Sequence, residues 1–214
     1  TISHDGSAAA AVPGVNRNHL HALAVRVPDV ETQRRIAAIL AAFDELIAMN
    51  GRRIEVLEEL ARSVYREWFV RFRAPALEDD MCVPADWQLT DLGSIATWFS
   101  GGTPSTKNED YWDGGIPWIT SGSLRSMLLS DSDRTLTSAG VTAGSRMVGR
   151  DAVLVVVRGM SLVREVRAGI ADRPVAFGQD CKALVAVDGI EPLFLAFTVL
   201  DRQEAMLGMV ELAG

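Results

Sequence analysis

Between Val30 and about Phe72 the apolar residues fall on one face at helical spacing. Ile36, Leu40, Phe43, Ile47, Asn50, Ile54, Leu57, Ala61, Val64 and Trp68 follow one another at alternating steps of four and three. That is the a/d pattern of a heptad, which winds a helix about a partner helix. At 1.5 Å per residue such a helix extends roughly 60 Å, more than one small domain covers. The pattern therefore predicts a second helix alongside, from this chain or another. Asn50 lies on the seam, where a polar residue costs stability but fixes register and oligomer state. Gly51 lowers helix propensity by about 1 kcal/mol relative to Ala, so the competing expectation is a break at Asn50–Gly51 into a helical hairpin. The heptad phase runs through the glycine and favours one rod. Asp29 is placed to cap its start, and Pro75 disfavours helix at Ala74, so the rod should end near Arg73.

Elsewhere the periodicity is shorter. Thr1 to Ala11 are small and polar, as in a loop, and Pro13 to Asn16 suit a turn. Asn16 or Asn18 can cap a short helix over His19 to Ala22. Leu23 to Val27 alternate like a strand. Ala76 to Pro84 form an acidic connector. From Trp87 onward strand-like runs recur at Ile95–Phe99, Ile116–Ile119, Ala152–Arg158, Val166–Ala171 and Ala183–Val187, separated by turn-forming residues. A last helix is predicted from Pro192 to about Leu207, burying Leu193, Phe194, Phe197, Leu200 and Met206. The fold class this predicts is α+β: one long coiled-coil helix over residues 29–74, a connector over 75–85, and an irregular mixed-sheet domain over 86–214, preceded by a tail over 1–28.

Composition narrows the function. The chain has 214 residues, 48% of them hydrophobic, enough for one full domain and additional elements. Its longest apolar run, Val153 to Val157, falls well short of the ~20 residues of a membrane span. No basic, apolar leader opens the chain, and Thr1 in place of Met points to a fragment or a processed chain. Cys82 and Cys181 have no metal or redox spacing, which fits reduced thiols in the cytoplasm. The net charge of −7 argues against a nonspecific nucleic-acid binder and leaves room for a local basic face.

Three stretches could carry chemistry. Trp98 to Gly122 (WFSGGTPSTKNEDYWDGGIPWITSG) places Gly101 and Gly102 before the hydroxyls of Thr103, Ser105 and Thr106 and the charge of Lys107, with Ser121 near its end. Gly-rich loops of this kind can set backbone N–H groups and hydroxyls against phosphate, although the G-K-[ST] ending of a Walker loop is missing. A solvated loop whose Tyr111, Trp112 and Trp118 pack back onto the sheet is the competing reading. In Val157 to Gly169, Arg158, Arg164 and Arg167 stand close together with Ser161 at the turn. Arginine is the usual bidentate reader of guanine, and charge balance against Glu165 and Asp172 is the equally open alternative. Gln179, in FGQDCKAL, can read adenine or simply lie at the surface. No catalytic constellation is present: His4, His19 and His21 all lie in the N-terminal segment, His19-x-His21 lacks carboxylate or cysteine partners, and no nucleophile elbow or dinucleotide fingerprint occurs.

Three pieces taken together resemble the specificity subunit of type I restriction-modification systems. They are PGVNRNHLHALAVRVPDVETQRRIAAIL; the helix with FDELI and NGRRIEVLEELARSVYREWFVRF; and LGSIATWFSGGTPSTKNEDYWDGGIPWITSGSL with RGMSL and VAFGQDCKAL. The resemblance implies two target-recognition domains that each read half of a split DNA site. It also implies an antiparallel pair of long helices that spaces them and docks methyltransferase subunits. A motor–nuclease restriction subunit joins the full complex. S-adenosylmethionine and the catalytic residues belong to the methyltransferase, so this chain would hold no cofactor and no metal. On this resemblance Gly102, Thr103, Ser105, Lys107, Ser121, Arg158, Ser161, Arg164, Arg167 and Gln179 would contact DNA, and the heptad residues would form the partner interface.

The chain departs from that pattern in having one helix and one sheet domain. Residues 1–28 look like the tail of a recognition domain, and Gly6 to Val15 would continue naturally from Met209 to Gly214. A half-length, circularly permuted subunit or a cut from the middle of a longer one is therefore expected, its recognition domain lacking a final strand. Tail and domain at opposite ends of a ~60 Å rod predict an antiparallel homodimer in which each tail completes the partner copy's sheet, favouring a palindromic split target. Two other readings remain: a coiled-coil assembly module whose β domain binds protein or a small ligand, and a methyltransferase fragment, for which no catalytic motif is found.

Overall fold

The structure, a computed structural model, describes residues 16–73, 84 and 87–210. The predicted loop over Thr1–Ala11, the continuation through Gly6–Val15, most of the acidic connector and the chain end after Val210 lie outside the described residues, as do His4 and Cys82. Residues up to Arg53 and residues from Ile54 onward form two compact units.

In the first unit a short helix α1 spans Arg17–His21, with Asn16 as its cap: the Asn16 side chain accepts from the Asn18 amide at 2.8 Å. The strand expected over Leu23–Val27 is not there. These residues are neither helix nor strand, and Leu23, Val25 and Val27 are 66%, 76% and 71% exposed. The reason is physical: strand alternation becomes a strand only when a neighbouring strand takes up its hydrogen bonds. Helix α2 begins at Val30 as expected. The Asp29 carboxylate accepts from the Thr32 amide at 3.0 Å and from the Thr32 hydroxyl at 2.7 Å, and these bonds hold its pKa below the ordinary carboxylate value.

Helix α2 runs without a break from Val30 to Tyr65, so the hairpin alternative at Asn50–Gly51 is overturned. One glycine costs about 1 kcal/mol, and the strong helix formers on either side carry the hydrogen-bond ladder across it. No residue of α2 is buried. A π-helical turn over Arg66–Val70 continues it. The helical path ends there, short of the expected Arg73. The Arg71 amide bonds back to the Arg66 carbonyl at 2.8 Å, and Phe72 takes a left-handed conformation at φ 55°.

The second unit has layers. Strands β1 (Ala96–Ser100), β3 (Leu128–Leu129), β6 (Val153–Val156), β7 (Ala168–Ala171) and β9 (Cys181–Ala186) form one sheet in the order β1-β9-β6-β7-β3. Strands β2 (Trp112–Ile119), β4 (Thr135–Leu136), β5 (Arg146–Val148) and β8 (Val175–Phe177) form a second, β4-β2-β8-β5. Both mix parallel and antiparallel pairs. The sheets pack face to face around Ile119, Leu154, Val156, Phe177 and Ala183. The outer face of the first sheet is covered by α5 (Pro192–Asp201), through Leu195, Ala196, Val199 and Leu200. The outer face of the second holds Trp112, Trp118 and Leu136, with Val141 of α4 (Ser138–Gly144) packed against them. Strand β6 is thus buried on both faces, which is why its sequence is an unbroken apolar run rather than an alternation. A one-turn α3 (Leu92–Ile95) precedes β1.

Two details of the last predicted helix need correction. It breaks at Arg202 into α5 and α6 (Gln203–Leu207), and Leu193, expected to be buried, is exposed. Helix α5 has two working faces. One lies on the sheet; the other presents Phe194 and Phe197 to the end of α2, where Tyr65 stacks on Phe69 at 5.3 Å and on Phe197 at 6.0 Å. The Thr198 hydroxyl donates to the Phe194 carbonyl at 2.8 Å, so at 2.9 Å it accepts from the Tyr65 hydroxyl. Arg66 pairs with Asp201 at 2.8 Å.

Candidate functional site

The strand ends converge. The C-terminal ends of β1, β2, β6 and β8 meet the N-terminal ends of β5, β7 and β9 on one side of the two sheets. Main-chain bonds lock the turns there. The Gly102 amide donates to the Phe177 carbonyl at 3.0 Å, the Gly178 amide to Ile119 at 2.8 Å, and the Val157 amide to Asp180 at 2.9 Å. A Cβ on Gly101 would come within 2.3 Å of the Gly178 carbonyl oxygen, and one on Gly102 within 2.2 Å of that of Gly144. Only glycine permits this approach, and so the turn that looked like a phosphate cradle is also a backbone junction.

This geometry sorts the predicted site residues. Gly102, Ser121, Arg158, Ser161, Arg167 and Gln179 belong to the converged turns. The Arg158 amide bonds the Asp180 carbonyl at 3.3 Å, Gln179 is exposed beside it, and Ser121 lies against Gly159, whose φ of 130° suits glycine alone. Thr103, Ser105 and Lys107 are exposed on the loop that leaves Gly102, on the side of the second sheet. Two indoles hold that loop: Trp112 Nε1 donates to the Ser105 carbonyl at 3.1 Å and Trp118 Nε1 to that of Gly102 at 3.2 Å. Both tryptophans are buried, as the competing reading of the aromatics had it.

The three arginines have different situations. Arg167 is engaged inside the protein, with Glu165 at 2.7 Å and with the Ser121 carbonyl at 3.2 Å. It ties two turns together. Asp172, the other expected counter-charge, pairs instead with Arg150 at 3.3 Å. Arg158 and Arg164 are exposed and form no ion pair among the described residues. The Ser161 hydroxyl is buried with no hydrogen-bond partner, an arrangement that ordinarily costs about 1–3 kcal/mol. Beside it, Ser121, Met160, Val163, Arg164 and Arg167 line a cavity of about 540 Å³.

Reasoning from sequence missed two cations at this end. Lys182 Nζ donates to the Ser100 hydroxyl at 2.6 Å, and the Arg146 guanidinium lies 5.2 Å from the Phe99 ring centroid. A lysine inside the apolar run CKALVA was a legible signal. Arg146 gave none, because β5 is too short to show a period. Beneath them Cys181 is fully buried, and burial, with the Asp180 charge adding, pushes its thiol up to about 12.

The seam residues Ile36, Leu40, Phe43, Ile47, Ile54 and Leu57 are all about half exposed or more, and Val64 and Trp68 somewhat less. Asn50 lies among them, exposed. Beside α5, the last two turns of the helix open onto an apolar groove of about 510 Å³ lined by Leu57, Leu60, Trp68, Leu193 and Phe197. Among the described residues no helix is long and apolar enough to cross a membrane.

No family model matches the chain. The type I restriction enzyme EcoR124I/EcoR124II specificity subunit of Escherichia coli is 24% identical over 184 residues, covering 85% of this chain and 43% of that one. The HindI specificity subunit of Haemophilus influenzae is 31% identical over 97 residues, 43% of this chain and 20% of its own length. The crystal structure of the type I restriction-modification S subunit from M. genitalium shares the fold, with a TM-score of 0.59 at 17% identity over 85% of this chain and 44% of that chain. The chain thus spans less than half the length of the curated relatives it matches. In sequence and in fold, its kin are the specificity subunits of type I restriction-modification systems.

Proposed function

We propose that the chain is the DNA-reading subunit of a type I restriction-modification complex. The observation that carries this reading is the convergence of Gly102, Ser121, Arg158 and Gln179 at one end of both sheets, on turns fixed by main-chain bonds. A rigid backbone holding exposed polar side chains is what base recognition in a groove requires. Residues 86–214 would form the target-recognition domain, residues 29–74 the spacer helix, 75–85 the connector and 1–28 the tail of a second recognition domain. Duplex DNA is the ligand. The chain has no catalysis of its own; the methyltransferase subunits carry S-adenosylmethionine and the chemistry, the motor–nuclease subunit carries restriction, and the assembly works in the cytoplasm.

The exposed seam of α2 supports a second helix beside it. We place there another copy of this chain, antiparallel, with each tail before Val30 completing the partner copy's sheet. Selection of bound sequences from a random duplex pool, with the methyltransferase subunit present, tests the whole reading. A bipartite palindrome supports the dimer, and a lone half-site removes it. A pool that never converges removes DNA reading altogether. The coiled-coil assembly module remains the second reading, favoured by the net charge of −7 and the apolar groove beside Leu193. Binding to duplex that does not weaken with salt would decide for it.

A further inference from the structure

The sheet domain is electrically two-ended. At the converged end stand Arg125, Arg146, Arg158, Arg164 and Lys182, with Arg167 already matched by Glu165 and with Asp180 and, beside Gly122, Asp131 and Asp133 as the acids. At the opposite end stand Asp151, Asp172 and Asp188 with Arg150 and Arg173, and Arg150 is drawn to Asp172 at 3.3 Å and to Asp151 at 3.8 Å. A chain of net charge −7 thus gathers unspent cations on one end of one domain.

Two of these cations differ from the others in how they are held. Arg146 lies over the Phe99 ring and Lys182 is bonded to Ser100, so the last two residues of β1 each support one basic side chain. Phe99 packs into the core between the sheets, whereas Ala96, at even spacing from Ser100, packs on the α5 side. Since β1 alternates, the two cations bracket it from its two faces, immediately before Gly101–Gly102. Neither lies on a turn tip, where a side chain can enter a groove and read a base edge. Each is a point charge or planar donor at a rim, which suits phosphate oxygens.

We propose that Arg146 and Lys182 are backbone-phosphate contacts that fix the register of the duplex on the domain, leaving base choice to the turns at Arg158, Arg164 and Gln179. This rests on the DNA-reading function above and adds to it a division of labour. The test is titration of the full chain, assembled with its methyltransferase subunit, against a selected duplex and a scrambled one across a salt series. Arg146→Gln/Lys182→Gln should flatten the slope of log K against log salt by about 1.8, from about 0.9 per phosphate contact, and weaken both duplexes by the same factor. Arg150→Gln/Arg173→Gln removes the same charge from the opposite end and should leave the slope unchanged. Arg146→Lys/Lys182→Arg keeps the charge and should keep the slope, separating electrostatics from misfolding. An unchanged slope in the first variant, or an equal loss in the opposite-end control, overturns the proposal while DNA reading stands. Wild-type binding that ignores salt overturns DNA reading itself, and this proposal with it.

Discussion

The long helix and the sheet domain put similar side chains to opposite uses. In the sheet domain Phe177, Leu154, Val156 and Leu184 are fully buried, and the apolar run of β6 is covered on both faces. In the helix, Phe43 is 60% exposed and Ile47 is 69% exposed, and no residue is buried at all. A core of the first kind gives a domain its own stability. A seam of the second kind gives nothing until another surface covers it, because burial rather than composition yields the ~25 cal/mol per Å² of the hydrophobic effect. Apolar content alone says little; where the chain leaves it uncovered distinguishes a folding element from an assembly element.

Four perturbations test that contrast, from the largest effect to the smallest. Phe177→Ala opens a cavity between the two sheets and should cost about 3–5 kcal/mol in denaturant unfolding. Gly102→Ala drives a Cβ to 2.2 Å from the Gly144 carbonyl oxygen; the backbone must move, and loss of a few kcal/mol with altered near-UV dichroism is expected. Tyr65→Phe deletes the hydroxyl bonded to Thr198 and should cost about 1 kcal/mol in the sheet domain. Phe43→Ala should leave the unfolding free energy of the sheet domain within about 0.5 kcal/mol of wild type while abolishing the proposed self-association, read by light scattering. A large loss of domain stability from Phe43→Ala would break the contrast. Buried Cys181 adds a pH signature. Its folded pKa, about 12, lies above the ordinary 9.0, so the folded state keeps its proton longer than the unfolded state. The contribution of this thiol is therefore constant below pH 9 and falls as pH rises from there toward 12, and Cys181→Ala should flatten that decline in thermal melts.

Much of this was legible in the sequence, for identifiable reasons. The heptad of α2 is visible because its period persists over ten positions, and the cap at Asp29 because an Asp before a helical run has one obvious use. The five longer strand runs are visible because burial selects apolar residues. What escaped was short or two-sided. Leu128–Leu129 and Thr135–Leu136 are too brief to have a period, and α4 is built of Ser, Ala, Gly, Val and Thr, held by the Thr137 cap and the close approach of Gly140 to Tyr111. Helix α5 misled because it buries two faces, and a single-stripe reading assigns only one of them. At the site, residue types were readable and their partners only partly so. The pairing of Arg167 with Glu165 joins residues two apart in extended chain, which share a face, and was one of the open readings; the seat of Arg146 over Phe99 joins residues far apart in sequence and had no local signal.

Gly101 and Gly102 hold the converged turns through a closeness that only glycine allows, and the Gly178 amide adds a main-chain bond to Ile119. Arg158, Arg164 and Gln179 project from those turns without supporting them. A lineage could therefore exchange the projecting side chains freely while the glycines beneath stay constrained. Such a scaffold would vary in its projecting side chains faster than in shape, and related chains should differ most at positions 158, 164 and 179 and least at 101 and 102.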